Sequence, residues 1–277
     1  MSSIPNLVLN NGVEIPQLGF GVFQVPPEET KQAVLTAFEA GYRHIDTAAL
    51  YRNETEVGEA VRDSGLERDA IFVTTKLANP DQGHDSTVRA FDASMERLGL
   101  DVLDLYLIHW PLPSKDLYVD TWAAMEKLYR DGRIRAIGVS NFQPDHLRRL
   151  CDRSEVVPVI NQVELHPYLQ QADVRRTDEE LGILTEAWSP IAQAGDLLQD
   201  DVVIGLADKH GRTSAQIVLR WHIQLGNVAI PKSVTPSRIE ENADIFGFEL
   251  DGDDMAAIEK MDRGGRTGPD PDRFHGH

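Results

Sequence analysis

Cysteine occurs once in the 277 residues, as Cys151, so no disulfide can form within the chain. That excludes a small secreted scaffold stapled by disulfides. Cys151 lies in PDHLRRLCDRS, a stretch patterned as a surface helix with one apolar face, and reads as a packed thiol. No apolar run reaches 18 residues, which leaves no hydrophobic stretch to span a membrane as a helix. The start, MSSIPNLVLN, has neither the basic nor the apolar region of a secretory signal. Both absences lead to the expectation of a soluble, cytoplasmic protein. Lysine is scarce, seven against twenty arginines, and the 27 basic residues face 45 acidic ones for a net charge of -18. Such a surface repels nucleic acid and anionic membranes, and a negatively charged partner needs a local basic patch. An acidic, lysine-poor composition fits either a salty cytoplasm or a bias in genomic base composition. His84, His166, His222, His275 and His277 show no metal-ligand spacing, so no metal is expected.

What the chain does have is an ordinary globular balance, 41% hydrophobic and 26% charged, sufficient to bury a large core. Near the amino end VLN, NG and VEIP predict a β-hairpin lid turned by a type I′ Asn-Gly pair. Short β-branched runs then alternate with amphipathic helical stretches. The first four units pair QLGFGVF with PEETKQAVLTAFEAG, YRHIDTA with NETEVGEAVRDSG, IFVTTKL with DSTVRAFDASMERLG, and LDLYLIHW with YVDTWAAMEKLYRDG. The next four open on IRAIGVSN, PVINQVEL, LTEAWSPI and VAIPKS, the seventh carrying a pair of helices near 200 to 226. Gly41, Gly65, Gly99, Gly132 and Gly182 stand where left-handed helix caps are needed. Eight such units predict an α/β protein, a (β/α)8 TIM barrel with an N-terminal hairpin. Barrels of this kind reach ~250 residues as one unit, so residues 1–277 are expected to form a single domain. An open doubly wound sheet would place G-x-G-x-x-G after the first strand; Gly19 and Gly21 give only G-F-G-V-F-Q, and the fingerprint fails. The end, RGGRTGPDPDRFHGH, is rich in Gly, Pro and charge and reads as a mobile tail over about 263–277.

In such a barrel the active site lies at the carboxyl ends of the strands. Asp46 closes YRHID, Tyr51 follows in the next loop, Lys76 closes IFVTTK and His109 closes LDLYLIH. Ser140 and Asn141 end the fifth strand, Gln162 and Trp188 occur in the sixth and seventh, and Lys232 and Ser233 end the eighth. Taken singly, Asp46 reads equally as a helix cap, His109 as a core histidine, Tyr51 as packing and Lys76 as a snorkelling side chain. Together they put one acid, one base and two proton donors at one mouth, and buried charges are costly unless paired.

These residues resemble the aldo-keto reductases over nearly the whole chain. GYRHIDTAALYRNETEVGEAVRDSG is similar to that family's first signature, VSNF at 139–142 to its middle one and IPKSVTPSRIEEN to its cofactor signature. LDLYLIHWP and GVFQVPP look most like prokaryotic members that reduce 2,5-diketo-gluconate and other small carbonyls. The resemblance implies a catalytic set of Asp46, Tyr51, Lys76 and His109, with Tyr51 as general acid in an NADPH-dependent reduction of aldehydes and ketones. Lys76 is expected to lower the tyrosine's pKa, and Asp46 to keep Lys76 protonated. For NADPH the resemblance implies Ser140, Asn141 and Gln162 on the carboxamide, Trp188 stacked on the nicotinamide and Ser189 beside it. It also implies Lys232, Ser233, Val234, Thr235 and Arg238 around the 2′-phosphate, with Glu241 and Asn242 on the adenine. Many relatives carry tyrosine where Trp188 stands. Phe23, Tyr51, His109 and Trp110 are the expected substrate residues, and KLAN in place of the common K-L-W-N puts Ala78 at the pocket rim, predicting a wider mouth. A Schiff-base lyase using Lys76 would leave the IPKSVTPSRIEEN segment without a role, and a cofactor-binding partner protein would not need the intact catalytic set. With no apparent interface stripe, a monomer is expected.

Overall fold

Asn10, Asn11 and Gly12 turn the chain between β1 (Asn6–Val8) and β2 (Glu14–Pro16) in the computed structural model, which describes residues 4–276. Leu9 and Val13 close this three-residue loop, and Gly12 alone carries a positive φ, 85°. The turn is therefore a type I turn ending in a left-handed glycine, and the expected two-residue type I′ turn is not formed. The hairpin is also no lid over the mouth. Its Leu9 and Ile15 pack on Phe72, Leu105, Ile160 and Val228, so it plugs the amino ends of the barrel strands.

Eight parallel strands follow: β3 (Phe20–Gly21), β4 (His44–Asp46), β5 (Phe72–Leu77), β6 (Leu103–Ile108), β7 (Ile134–Ser140), β8 (Ile160–Glu164), β9 (Leu184–Trp188) and β10 (Val228–Ala229). They neighbour one another in chain order, and β10 returns to the first strand through bonds from Gly19 N to the Ala229 carbonyl and from Ala229 N to the Gln17 carbonyl. The sheet thus closes into the expected barrel. Around it run α1 (Pro27–Glu39), α2 (Glu54–Asp63), α3 (His84–Leu98), α4 (Tyr118–Arg130), α5 (Pro144–Cys151), α6 (Ala172–Leu181), α7 (Asp201–His210), α8 (Ser214–Gln224) and α9 (Pro236–Ala243). A further helix, α10 (Gly252–Glu259), has no counterpart in the eight-unit sequence reading. Its start is set locally: Asp251 accepts from the backbone of Asp253 and Asp254 and so satisfies the free amides of the first turn. The five expected glycine caps all have φ between 64° and 96°.

Strand alternation decides which side chains meet the barrel axis. Along β5, Val73 and Leu77 join the core under the helices, while Phe72, Thr74 and Lys76 point inward. A β-carbon on Gly19 would fall 2.5 Å from His44 Nδ1, and one on Gly21 would fall 3.2 Å from the Ile230 carbonyl. That glycine pair belongs to barrel closure, which explains a G-x-G without a phosphate-binding turn.

Candidate active site

Two of the expected catalytic residues, Asp46 and Tyr51, converge on the ammonium of a third, Lys76. Lys76 is completely buried on β5. Its Nζ donates to Asp46 Oδ1 at 2.5 Å, to the Thr47 carbonyl at 3.0 Å and to Tyr51 Oη at 3.4 Å. Tyr51 reaches it from a single 3-10 turn, Ala49–Tyr51, directly after β4. All three ammonium protons have acceptors. Burial acts to lower the Lys76 pKa, but Asp46 and the Tyr51 oxygen outweigh it and hold the pKa above its ordinary value. A lysine kept protonated is no amine nucleophile, so the geometry offers nothing to a Schiff-base reaction.

Tyr51 departs from expectation in its proton affinity. Burial raises its pKa more than the Lys76 ammonium lowers it, so the phenol holds its proton more tightly than free tyrosine does. At neutral pH it is a proton donor. His109, just beyond β6, packs edge-on against it with ring centroids 5.8 Å apart. Burial, with Lys76 adding to it, pushes the His109 pKa down to about 3, so the imidazole is neutral and offers one N–H. Its Nδ1 is buried with no hydrogen-bond partner among the described residues.

Of the expected substrate residues, Phe23 lies 5.0 Å from the Tyr51 ring and is half exposed at the rim. Trp110 is buried under Phe274 of the carboxyl tail, with ring centroids 4.5 Å apart. Where the sequence predicts a mobile tail, residues 263–276 are tied to the mouth. Glu164, buried at the end of β8, accepts from Thr267 N and Oγ1, both at 2.6 Å, and from Gly268 N at 2.9 Å. The Arg263 guanidinium lies 3.6 Å from the Tyr168 ring centre, and Gly276 lies against Leu112 and Asn79, next to Ala78. A glycine is required at 268, since a β-carbon there would fall 2.5 Å from the Trp188 ring. His277 lies outside the described residues. The sequence offered no signal for this docking, because Glu164 and Thr267 are 103 positions apart. We expect Glu164→Gln to weaken three charge-assisted bonds, each contributing about 1.5–3 kcal/mol. Tryptic cleavage after Arg266 and Arg273 should then quicken about tenfold or more at unchanged circular dichroism.

The expected carboxamide residues also meet. Ser140 Oγ donates to the Gln162 carbonyl, Asn141 Nδ2 to the His109 carbonyl, and Trp188 Nε1 to Asn141 Oδ1 at 2.8 Å. Asn141 is left-handed, φ 64°, a conformation Asn tolerates and these two bonds secure. Gln162 Nε2 is committed inward, to Asp46 and Glu186. Its Oε1 is the one side-chain oxygen of the three residues without a partner among those described. Ser189 is left-handed, φ 47°, and so are the three consecutive residues Ala192, Gln193 and Ala194. At the end of β10, Lys232, Val234, Thr235 and Arg238 are exposed and Ser233 half-buried around the start of α9. Neither Lys232 nor Arg238 pairs with a carboxylate among the described residues, although the chain has an 18-charge acidic excess. Glu241 accepts from Thr213, and Asn242 is buried behind it.

The chain and its barrel have counterparts among known proteins. The Aldo/keto reductase family model matches residues 17–263. A glyoxal reductase of Bacillus subtilis is 52% identical over 267 residues, 96% of either chain. A methylglyoxal reductase of Escherichia coli is 51% identical over 269 residues, 97% of either chain. The crystal structure of a Gox0644 mutant in complex with NADPH superposes with a TM-score of 0.95 at 48% identity, covering 99% of both chains. Fold and sequence therefore agree over almost the full length, and the chain belongs to the aldo/keto reductase family.

Proposed function

We propose that the chain reduces small reactive carbonyls, α-dicarbonyls of the glyoxal and methylglyoxal type foremost, with NADPH as reductant and Tyr51 as the proton donor. One observation carries this reading: a protonated phenol held 3.4 Å from a buried ammonium, beside a neutral imidazole with no other partner. The residues present fit NADPH. Unpaired Lys232 and Arg238 at the start of α9 form the local basic patch that a 2′-phosphate needs on an acidic protein. At the other end the half-exposed Trp188 ring, fixed by Asn141, presents a flat apolar face to the nicotinamide, with Ser140, Ser189 and the free Gln162 Oε1 near its carboxamide. When bound, NADPH supplies the hydride for the carbonyl carbon.

The chain's own residues supply the rest. His109 donates to the carbonyl oxygen and orients it toward Tyr51. Tyr51 Oη gives up its proton as charge develops on that oxygen, and Lys76 stabilises the phenolate left behind. Asp46 keeps Lys76 charged through the cycle. Phe23 at the rim limits the entrance on one side, and the tail-backed Trp110 fixes the other. In this reading the chain acts as a single-domain monomer in the cytoplasm, where its lone cysteine stays reduced.

The deciding experiment follows NADPH consumption with glyoxal, methylglyoxal, keto-sugars and simple aldehydes. Turnover ranked with the dicarbonyls first supports the reading; tight NADPH binding without turnover on any of them refutes it. For the cofactor end, Arg238→Ala should weaken NADPH binding about tenfold or more and leave NADH binding nearly unchanged, as measured by quenching of tryptophan fluorescence. Equal losses for both nucleotides would remove Arg238 from the 2′-phosphate site.

A further inference from the structure

Beneath the catalytic cluster the barrel holds a second carboxyl that no step above uses. Glu186 projects inward from the middle of β9, completely buried. A single amide ties it to the site: Gln162 Nε2 donates at 2.8 Å to Glu186 Oε2 and at 2.8 Å to Asp46 Oδ2. Both protons of that amide are thus taken by carboxyls. Two carboxylates bridged by one neutral group repel strongly where no water screens them, so one of the two keeps a proton. Asp46 has the Lys76 ammonium at 2.5 Å. The nearest basic atom to Glu186 is His44 Nε2, 3.8 Å away, which bonds Thr74 instead. Burial, helped by Lys76, holds His44 neutral with its pKa down at about 3. The proton therefore belongs on Glu186. Burial first, and then the Asp46 charge, push its pKa up to about 8, against the pull of Gln162 and Lys76. The groups facing it are Asp46 and His44 of β4, Lys76 of β5, Gln162 of β8 and the Tyr51 phenol. On the other side of β9, β10 and β3 bring only Val228, Ala229, Phe20 and Gly21, none of which titrates.

We propose that Glu186 is a positioning residue for the proton transfer: through the Gln162 bridge it fixes Asp46 on Lys76, and by gaining charge in alkaline solution it tightens the hold of Tyr51 on its proton. The inference rests on the reading of Tyr51 as proton donor. Its sign follows from charge. A negative Glu186 stabilises the ammonium and opposes a phenolate, so Tyr51 becomes a weaker acid as Glu186 ionises.

The test uses the full chain, carbon-13 labelled at the glutamate carboxyl and tyrosine ζ carbons, with the Tyr51 signal assigned by Tyr51→Phe. In the wild type one glutamate signal should titrate near pH 8, far above the others, and the Tyr51 signal should inflect at the same midpoint. In Glu186→Gln both effects should vanish, and the alkaline limb of NADPH-driven reduction should move down by roughly one pH unit. Glu186→Asp, which keeps an ionisable group, should restore the inflection. The wild type alone decides if Glu186→Gln does not fold: no glutamate titrating above neutrality overturns the proposal. A titrating Glu186 with no inflection at Tyr51 also overturns it. The two readings fail separately, since the resonances are observed without turnover. A coupled titration with no reduction refutes the reductase reading alone, and Tyr51-dependent reduction with an unmoved limb refutes this one alone.

Discussion

Replacing Tyr51 by Phe should lower kcat for carbonyl reduction by about 10²–10⁴-fold, the contribution expected of a positioned general acid. The substitution deletes one oxygen and keeps the ring, so the contacts with Phe23 at 5.0 Å and with the face toward Lys76 at 5.0 Å persist. NADPH affinity should stay within about twofold, because the expected cofactor residues lie on β7 to β10 and α9, away from the phenol. Stopped-flow hydride transfer and a binding titration on the same preparation separate the two. Because burial raises the Tyr51 pKa and holds His109 near 3, neither group changes charge between about pH 5 and 8. The wild-type rate should therefore be flat across that range as far as these two groups decide it. A variant that keeps more than a tenth of wild-type turnover would assign the proton to another donor.

Replacing Lys76 by Met should act on both stability and rate. The apolar stem is conserved, but Asp46, the Thr47 carbonyl and Tyr51 each lose a donor, the first two of them buried. Stranding one partner of a buried ion pair costs about 3–5 kcal/mol. At this size that corresponds to a fall in Tm on the order of 10 °C by calorimetry. The rate should fall about as far as in the tyrosine variant, since the phenolate has lost the charge that stabilises it. A variant as stable as the wild type would show that Asp46 takes up a proton when its cation is removed.

The architecture was legible because it is written in local periodicity. Runs such as IFVTTK, buried at every position, alternate with amphipathic stretches closed by glycine caps, and that order admits few closed topologies. Strand ends then located the expected catalytic residues, since residues closing consecutive strands must share one mouth. The hairpin went wrong for a local reason: Asn11-Gly12 satisfies a type I′ turn on paper, but Asn10 and Asn11 reach the carbonyls of Pro158, Gly182 and Arg135 across the barrel floor and select the longer loop. The tail went wrong for a distant one. A segment rich in Gly, Pro and charge carries no sign that a buried carboxylate on β8 will collect its amides.

By itself the sequence determined the order of the eight strand–helix units, the closed barrel, the residues at its mouth and the family they belong to. All of these rest on spacings within one strand or helix, or on motifs of contiguous residues. Only the tertiary structure decided which groups touch and what charge each carries: that Lys76 is saturated by three acceptors, that Tyr51 is a weaker acid than free tyrosine, that Trp110 is covered by Phe274, and that Glu186 shares an amide with Asp46. Burial and pairing set those properties, and both depend on neighbours brought together from strands far apart in the chain.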